Sequence, residues 1–202
     1  MARITSILDN DLYKFLMQNA VIKLYPEANV RYAFFNRGGT VFPEGFAEKL
    51  REAVEEMRNL DNLSILEIEW LKRKCSFLPN PYIDFLAGYR FNPNEVKISQ
   101  NGGELSVIVE GSWYRTILWE VALMALISQL YFEEEAFVGI PSRNYLMLAR
   151  SKAEFLESIN AYYAEFGTRR RYSYEVQRNV VIEQKRSTTF IGTSNVLLAM
   201  NL

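Results

Sequence analysis

Residues 162–202 read YYAEFGTRRRYSYEVQRNVVIEQKRSTTFIGTSNVLLAMNL and carry the clearest structural pattern of the chain. Two runs of aromatic and β-branched residues end at a glycine, and each is followed by a segment with helical spacing of apolar residues. The pattern predicts, in order, a strand at Tyr162–Gly167, a helix at Tyr174–Arg186, a strand at Thr188–Gly192 and a helix at Asn195–Met200. This order favours parallel strands joined by right-handed crossovers, as in barrel-like or doubly wound sheets.

Two parallel strands are too few to close a sheet of this kind. The chain also stops at Leu202, within the last predicted helix. We therefore expect an α/β protein whose barrel-like or doubly wound sheet is incomplete, and a chain that is a fragment of a longer protein.

The N-terminal part of the chain is predicted to form an α+β unit instead. Val96–Ser99 and Glu104–Val109 alternate polar and apolar residues on either side of Asn101-Gly102-Gly103, which is typical of an antiparallel hairpin. A further strand is predicted at Val30–Phe35, where β-branched and aromatic residues run into a turn.

Four other segments are predicted to be helical, one of which carries Phe46, Leu50, Val54 and Met57 at helical spacing. One begins after Asp9-Asn10-Asp11, whose side chains can cap a helix, and ends before Pro26; another begins at the capping-box pair Ser64 and Glu67. The longest apolar stretch, Ile117–Phe132, is shorter than the ~20 residues of a membrane helix, so we predict a buried core helix. The predicted domains are 1–111, an α+β domain; 112–160, connecting core helices; and 161–202, the start of the incomplete barrel-like or doubly wound α/β sheet.

The composition excludes several classes of function. The chain has 202 residues, and its 23 Lys+Arg against 24 Asp+Glu argue against a nucleic-acid binder with a general basic surface. It has no histidine, so it cannot by itself build a Ser/His/Asp triad, a histidine zinc site or an imidazole base. With a single cysteine and no targeting segment, we expect a cytoplasmic protein with no metal site of its own.

The ends of the two predicted parallel strands carry the best candidates for a binding site. They read FGTRRR at 166–171 and IGTSN at 191–195, and neighbouring parallel strands end at the same edge of a sheet. Glycine, hydroxyl groups and guanidinium suit an oxyanion, which predicts a small-anion site. Alternatively, the arginines form a solvated turn and the second motif is an ordinary strand exit followed by a helix cap. The residue pattern alone leaves both interpretations open.

Several motifs, in the same order along the chain, resemble those of the nicotinate phosphoribosyltransferase family. They are EFGTRRRYSYEVQRNVV with FIGTSNVLLA at the predicted parallel strands, LDNDLYKFLMQNAVIKLYP at the opening helix, FFNRG at a strand exit, YIDFLAGYRFNP within the first domain and GSWYRTILWEVALMALISQLYF at the core helix. The resemblance covers nearly the whole chain. It implies an N-terminal α+β domain, an irregular α/β barrel and a homodimer whose active sites are shared between subunits.

The resemblance also implies a reaction. Nicotinate would be joined to phosphoribosyl pyrophosphate to give nicotinate mononucleotide and pyrophosphate, in the salvage route to NAD. The pyridine nitrogen would displace pyrophosphate from ribose C1 through an oxocarbenium-like state. ATP hydrolysis would assist, Mg²⁺ would accompany the diphosphate, and no tightly bound cofactor, nucleic acid or membrane is implied.

Carried onto this chain, the family motifs assign the substrate-binding residues. Phe166 and Tyr13 would hold the pyridine ring between their faces, with Tyr13 supplied by the partner subunit. Arg169 would neutralise the substrate carboxylate, with Thr168 and Ser194 as hydroxyl donors. Nicotinamide-specific relatives carry an aspartate where this chain has Ser194, so we expect this chain to prefer nicotinate.

Further residues are assigned to phosphate or to supporting contacts. Asp11, Arg37 and Arg170 lie in matching motifs, and Arg37 is expected to touch a phosphate; exposed surface roles are the alternative for Asp11 and Arg37. Arg171 is expected to be structural or to face a phosphate. The family's phosphorylated histidine belongs to a motif beyond Leu202, so no catalytic residue is assigned here, and the isolated 202-residue chain is expected not to turn over.

Two other functions stay open. One is a non-catalytic module that binds a pyridine acid or a phosphate, or serves in an interaction, without the chemistry. The other is an RNA-contacting module that uses residues 169–171 with Tyr172 and Tyr174.

Overall fold

The computed structural model of the protein describes residues 3–133 and 144–202. Its first part contains an antiparallel sheet of three strands, β1 (Asn29–Ala33), β2 (Val96–Asn101) and β3 (Glu104–Ser112), with β3 in the centre. The tight turn between β2 and β3 pairs Asn101 with Glu104, so the predicted hairpin is confirmed. Gly102 has a φ of 55° there, a conformation that glycine adopts without strain.

Helices cover this sheet and form most of the core. They are α1 (Leu12–Leu24), α2 (Phe46–Glu56), α3 (Ile65–Lys74), α4 (Asn80–Ala87), α5 (Trp113–Thr116) and α6 (Trp119–Glu133). The predicted capping box at the start of α3 is confirmed, because Ser64 Oγ accepts from Glu67 N and the Glu67 carboxylate accepts from Ser64 N.

Helix α6 is buried on most of its sides, which confirms the predicted core helix. The helical stretch Trp113–Glu133 is long and apolar enough to cross a membrane, but 67% of its most apolar window is buried against the rest of the protein. Such burial is the property of a core helix, and length and apolarity alone are weak evidence of a membrane span.

The second part of the chain follows the predicted strand–helix order. It contains α7 (Asn144–Ser158), β4 (Tyr163–Glu165), a 3-10 turn (Thr168–Arg170), α8 (Tyr174–Gln184), β5 (Phe190–Thr193) and α9 (Val196–Asn201). β4 and β5 pair in parallel, as expected for an α/β unit, although both are shorter than predicted. Residues 134–143 of the predicted connecting segment lie outside the described residues, and the domain boundaries stay a prediction.

The N-terminal segment joins the two parts at the end of β5. Leu12 N donates to Ser194 O at 2.8 Å, and Val196 N donates to Asn10 O at 3.0 Å. Asp11 and Asn195 form an isolated antiparallel bridge. As a result, the start of α1 lies beside the carboxyl ends of the two parallel strands, where ligands bind in α/β folds.

Candidate functional site

The two strand exits lie next to each other, as the parallel arrangement predicts. Glu165 is paired with Thr193 in the β4–β5 register, and Ser194 N donates to Glu165 O at 2.9 Å. Phe166 and the turn at 168–170 leave β4 at the same edge at which Ser194 leaves β5. The fold therefore brings the predicted motifs to one region of the surface.

Glu165 holds this pair of exits together. Its Oε1 accepts from Gly167 N at 2.5 Å, and its Oε2 accepts from the Thr193 hydroxyl at 2.5 Å. Gln177 of α8 donates to the same carboxylate at 3.1 Å. A Cβ on Gly167 would lie 2.5 Å from Glu165 Oε1, so in this structure the glycine makes room for a side chain of the protein itself.

The three consecutive arginines have different surroundings. Arg171 is buried and forms a two-point ion pair with the buried Asp9, with Nη1–Oδ1 and Nη2–Oδ2 distances of 2.6 and 2.7 Å. It therefore has a structural role, joining the N-terminal segment to the turn after β4. Arg169 and Arg170 instead line a cavity.

Thr168 is completely buried. Its hydroxyl oxygen accepts from Gln177 Nε2 at 3.1 Å and from Asn195 Nδ2 at 3.2 Å. In this arrangement the hydroxyl lies inside the protein and stabilises the turn. A direct contact between Thr168 and a substrate stays a prediction.

Tyr13 and Phe166 face each other within one chain. Their rings stack with centroids 5.8 Å apart and planes inclined by 23°, and Phe166 is 54% exposed. Within this chain, the bonds between the N-terminal segment and the end of β5 place Tyr13 beside the chain's own Phe166, and a Tyr13 supplied by a partner subunit stays a prediction. A pyridine ring between the two faces needs about 7 Å, two contacts of about 3.5 Å each, so the rings must separate to admit one.

Arg169 is bound to a residue that the sequence patterns did not single out. Its Nη1 donates to Glu120 Oε1 at 3.1 Å, and Tyr13 Oη lies 3.5 Å from the same oxygen. The buried Lys14 donates to Glu120 Oε2. The available signal was the position of Glu120, an acid within an otherwise apolar helix.

Electrostatics keep the Tyr13 phenol neutral. Burial and the charge of Glu120 raise the pKa of Tyr13 to about 12, while Arg169 acts in the opposite direction. The Tyr13 hydroxyl therefore keeps its proton to a higher pH than an ordinary tyrosine does.

Ser194 is held by a carboxylate on the N-terminal segment. Its Oγ donates to Asp11 Oδ1 at 2.7 Å. Asp11 is completely buried and makes no side-chain capping bond to α1, unlike the cap predicted from its position. Ser194 and Arg169 share no hydrogen bond, and each is bonded to a separate carboxylate.

A cavity of about 350 Å³ lies between the end of β1, α6 and the 168–170 turn. Its charged lining groups are Glu120, Arg37, Arg169 and Arg170, and its remaining wall is largely apolar. In the described part of the chain, the guanidinium groups of Arg37 and Arg170 have no hydrogen-bond or ion-pair partner. Cationic groups without an internal counter-ion suit a phosphate.

The described side chains do not form a magnesium site by themselves. Within residues 3–133 and 144–202, no group of three or more acidic, cysteine or histidine residues could hold a metal ion. The arginines around the cavity suit the negative charge of phosphate groups.

Two family models match the chain. The nicotinate phosphoribosyltransferase N-terminal domain matches residues 8–128, and the nicotinate phosphoribosyltransferase family matches residues 162–202. Together these matches include both the antiparallel sheet and the parallel strand pair.

Individual relatives agree with these matches. The chain is 50% identical to the nicotinate phosphoribosyltransferase of Chromohalobacter salexigens over 96% of this chain and 50% of that protein. The relative from Desulforapulum autotrophicum is 48% identical over 97% of this chain and 51% of its own length. Thus the chain spans about half the length of the curated relatives it matches.

Solved structures show the same fold. The nicotinate phosphoribosyltransferase of Porphyromonas gingivalis superimposes with a TM-score of 0.90 at 40% identity, covering 98% of this chain and 51% of that one. The enzyme from Vibrio cholerae has a TM-score of 0.85 at 28% identity, covering 97% of this chain and 48% of its own. On its sequence, its fold and its match to the family models, this chain belongs to the nicotinate phosphoribosyltransferase family.

Proposed function

We propose that this chain supplies the pyridine-binding part of an enzyme that makes nicotinate mononucleotide and pyrophosphate from nicotinate and phosphoribosyl pyrophosphate. The observation that carries the proposal is that Arg169 and Tyr13 share one oxygen of Glu120, where the Tyr13–Phe166 ring stack adjoins residues of an arginine-lined cavity. A flat aromatic acid presents the two complementary features, a ring face and a carboxylate.

Arg169 is suited to the carboxylate of nicotinate. A guanidinium has five N–H donors, and Glu120 accepts from one of its nitrogens. The remaining donors can form a two-point contact with a substrate carboxylate, and a charge-assisted bond of this kind contributes about 1.5–3 kcal/mol.

The aromatic pair is suited to the pyridine ring. Phe166 lies at a strand exit and is half exposed, so its ring has space in which to turn away from Tyr13. Stacking between aromatic faces adds about 0.5–1.5 kcal/mol beyond the burial of apolar area. The pyridine ring would thereby be held between the two aromatic faces, with its nitrogen directed toward phosphoribosyl pyrophosphate.

Arg37 and Arg170 are suited to the phosphates of that second substrate. Their guanidinium groups line the same cavity as Arg169. The pyridine nitrogen would attack ribose C1 as the bond to pyrophosphate breaks, and the released electron pair would leave with the diphosphate. These arginines would stabilise that negative charge, so that positioning and charge neutralisation provide the acceleration.

The rest of the proposal follows from family membership. It includes coupling to ATP hydrolysis, Mg²⁺ on the diphosphate, a homodimer with shared active sites, a cytoplasmic location and a place in the salvage route to NAD. Support comes from the relatives, which are named nicotinate phosphoribosyltransferases.

The test uses the complete gene product and follows labelled nicotinate into nicotinate mononucleotide by chromatography. We expect product only when phosphoribosyl pyrophosphate is present, and we expect Arg169→Gln to raise the KM for nicotinate by about tenfold or more. Arg178→Gln, which removes an exposed arginine of α8 away from the cavity, is the matched control and should leave that KM unchanged.

Two outcomes would contradict this proposal. Binding of nicotinate by the complete protein without any product would favour a non-catalytic binding module. Product formation by the isolated 202-residue chain would show that the chemistry does not need the rest of the family's barrel.

A further inference from the structure

Glu120 is an acidic side chain in a cavity whose other charged groups are arginines. It projects from the first turn of α6 and lines the cavity with Arg37, Arg169 and Arg170. A carboxylate there reduces the attraction of the cavity for an anion, so its presence calls for a compensating role.

The contacts of Glu120 indicate that role. One carboxylate oxygen accepts from Arg169 at 3.1 Å and lies 3.5 Å from Tyr13 Oη. The other oxygen accepts from Lys14, whose side chain is 3% exposed. Glu120 thus connects α1, α6 and the 168–170 turn at the point where the ring pair and the guanidinium meet.

Arg169 benefits from such an anchor because its side chain is long and partly exposed. The side chain is 40% exposed, and its ion pair with Glu120 is the one the structure shows for it within residues 3–133 and 144–202. A long, exposed arginine loses rotamer entropy when it is fixed by a ligand. An internal carboxylate that already holds one nitrogen removes part of that cost and leaves the other donors free.

We propose that Glu120 is a positioning residue for nicotinate, which orients the Arg169 guanidinium and the Tyr13 hydroxyl at the pyridine acid's binding site. This inference rests on the proposed function and deepens it. Glu120 itself touches neither the substrate nor the reacting atoms, and its effect passes through Arg169 and Tyr13.

The Glu120 carboxylate binds two cations, Lys14 and Arg169, so the effect of replacing it by an amide can be predicted for each of them. In Glu120→Gln, a single carbonyl oxygen remains for Lys14 and Arg169. The buried ammonium has the greater need of it, because an unpaired buried charge costs more than an exposed one. The amide NH₂ would then face Arg169 and repel it. We expect the KM for nicotinate to rise about fivefold or more, with little change in kcat and in the KM for phosphoribosyl pyrophosphate.

The double variant Lys14→Met/Glu120→Gln separates positioning from general damage. Without Lys14 the amide oxygen is free to accept from Arg169, so the KM for nicotinate should return to within about twofold of the original value. A second mutation that restores substrate affinity is not expected if Glu120 serves stability alone. The matched control is Glu133→Gln, which lies on α6 like Glu120 and alters the ion pair between Glu133 and Arg3. It should change neither KM.

The outcomes separate this inference from the proposed function. If the unmodified protein forms no nicotinate mononucleotide, the proposed function fails. If it is active but Glu120→Gln has an unchanged nicotinate KM, or the double variant is no better than the single one, the positioning role is refuted. A variant can be folded, as judged by circular dichroism, but too slow to assay. For such a variant, the affinity for nicotinate measured by calorimetry tests the positioning role.

Discussion

Ser194 is the residue that we expect to distinguish an acid from an amide at the proposed site. Its proton is donated to Asp11 Oδ1, and the other oxygen of Asp11 is buried without a hydrogen-bond partner in the described part of the chain. Because a serine hydroxyl has one proton, Ser194 cannot donate to Asp11 and to a substrate carboxylate together. Under the proposed function, the acid group of the substrate would therefore be left to Arg169.

We expect Ser194→Asp to reverse part of the preference for nicotinate. A second carboxylate next to Asp11 would repel the substrate acid and accept hydrogen bonds from an amide. The ratio of kcat/KM for nicotinate to that for nicotinamide should fall about tenfold or more, measured in competition. Ser194→Ala removes the hydroxyl without adding charge and should change the ratio much less. An unchanged ratio in Ser194→Asp would show that the selective contact lies elsewhere.

Gly167 is needed for a close approach between parts of the protein itself. Replacing it with alanine places a Cβ 2.5 Å from Glu165 Oε1, which must move and weaken its bonds to Gly167 N and Thr193. We expect a loss of about 1–3 kcal/mol in the free energy of unfolding, together with a higher KM for nicotinate. In Gly88→Ala, the matched control, the nearest atom to the new Cβ is 3.8 Å away. Equal stabilities of these two variants in urea denaturation would contradict this account.

At the scale of elements, the ion pair between Asp9 and Arg171 fastens the N-terminal segment to the turn after β4. Both side chains are 1% exposed, and Asp9 also accepts from Asn195 at 2.8 Å. Asp9→Ala leaves a buried guanidinium unpaired, so we expect a loss of about 3–5 kcal/mol in unfolding free energy. Asp9→Ala/Arg171→Met removes both charges and should cost clearly less.

Urea denaturation of the two variants checks this expectation. Glu48→Ala, which removes an exposed pair with Arg51 on α2, is the control and should change stability little. If the double variant is as unstable as Asp9→Ala, then the packing of the segment, rather than the unpaired charge, determines the loss.

Elements with local signals could be predicted, and contacts between distant elements could not. The capping box joins residues three positions apart, and the hairpin depends on a glycine turn between alternating strands, so both could be recognised from neighbouring residues. The carboxylate of Asp11 was expected to cap α1, but it accepts from Ser194, 183 positions away. A side chain with two competing partners is assigned by the tertiary fold, which local spacing does not encode.

In the candidate site too, the meeting of elements could be predicted from their order, whereas contacts between distant side chains could not. The β-α-β order predicted that the two strand exits would meet, and the parallel pairing confirms it. Glu165 and Glu120 were missed, because a lone acid in a strand or an apolar helix has many interpretations until its cationic and hydroxyl partners are known.

At the scale of the whole molecule, we expect two buried tyrosines to make stability sensitive to alkali. Tyr82 donates to Gln18 Oε1 at 2.8 Å and Tyr89 donates to the Arg115 carbonyl at 2.7 Å. Burial raises the pKa of both hydroxyls above the ordinary value of about 10. The folded state therefore keeps these protons at pH values at which the unfolded chain has lost them.

The sign of the effect follows from proton binding. Below about pH 10 the tyrosines are neutral in both states and contribute no pH dependence. Above that pH the unfolded state binds fewer protons, so the free energy of unfolding decreases as the pH rises.

We expect urea denaturation to show no tyrosine contribution between about pH 7 and 9 and a steep decline above about pH 10. Tyr82→Phe keeps the buried ring but removes one titrating group, so its decline should be shallower, even though the loss of the bond to Gln18 lowers its stability at neutral pH. Parallel declines in the two proteins would show that Tyr82 ionises equally readily in the folded and unfolded states, contrary to its burial in the core.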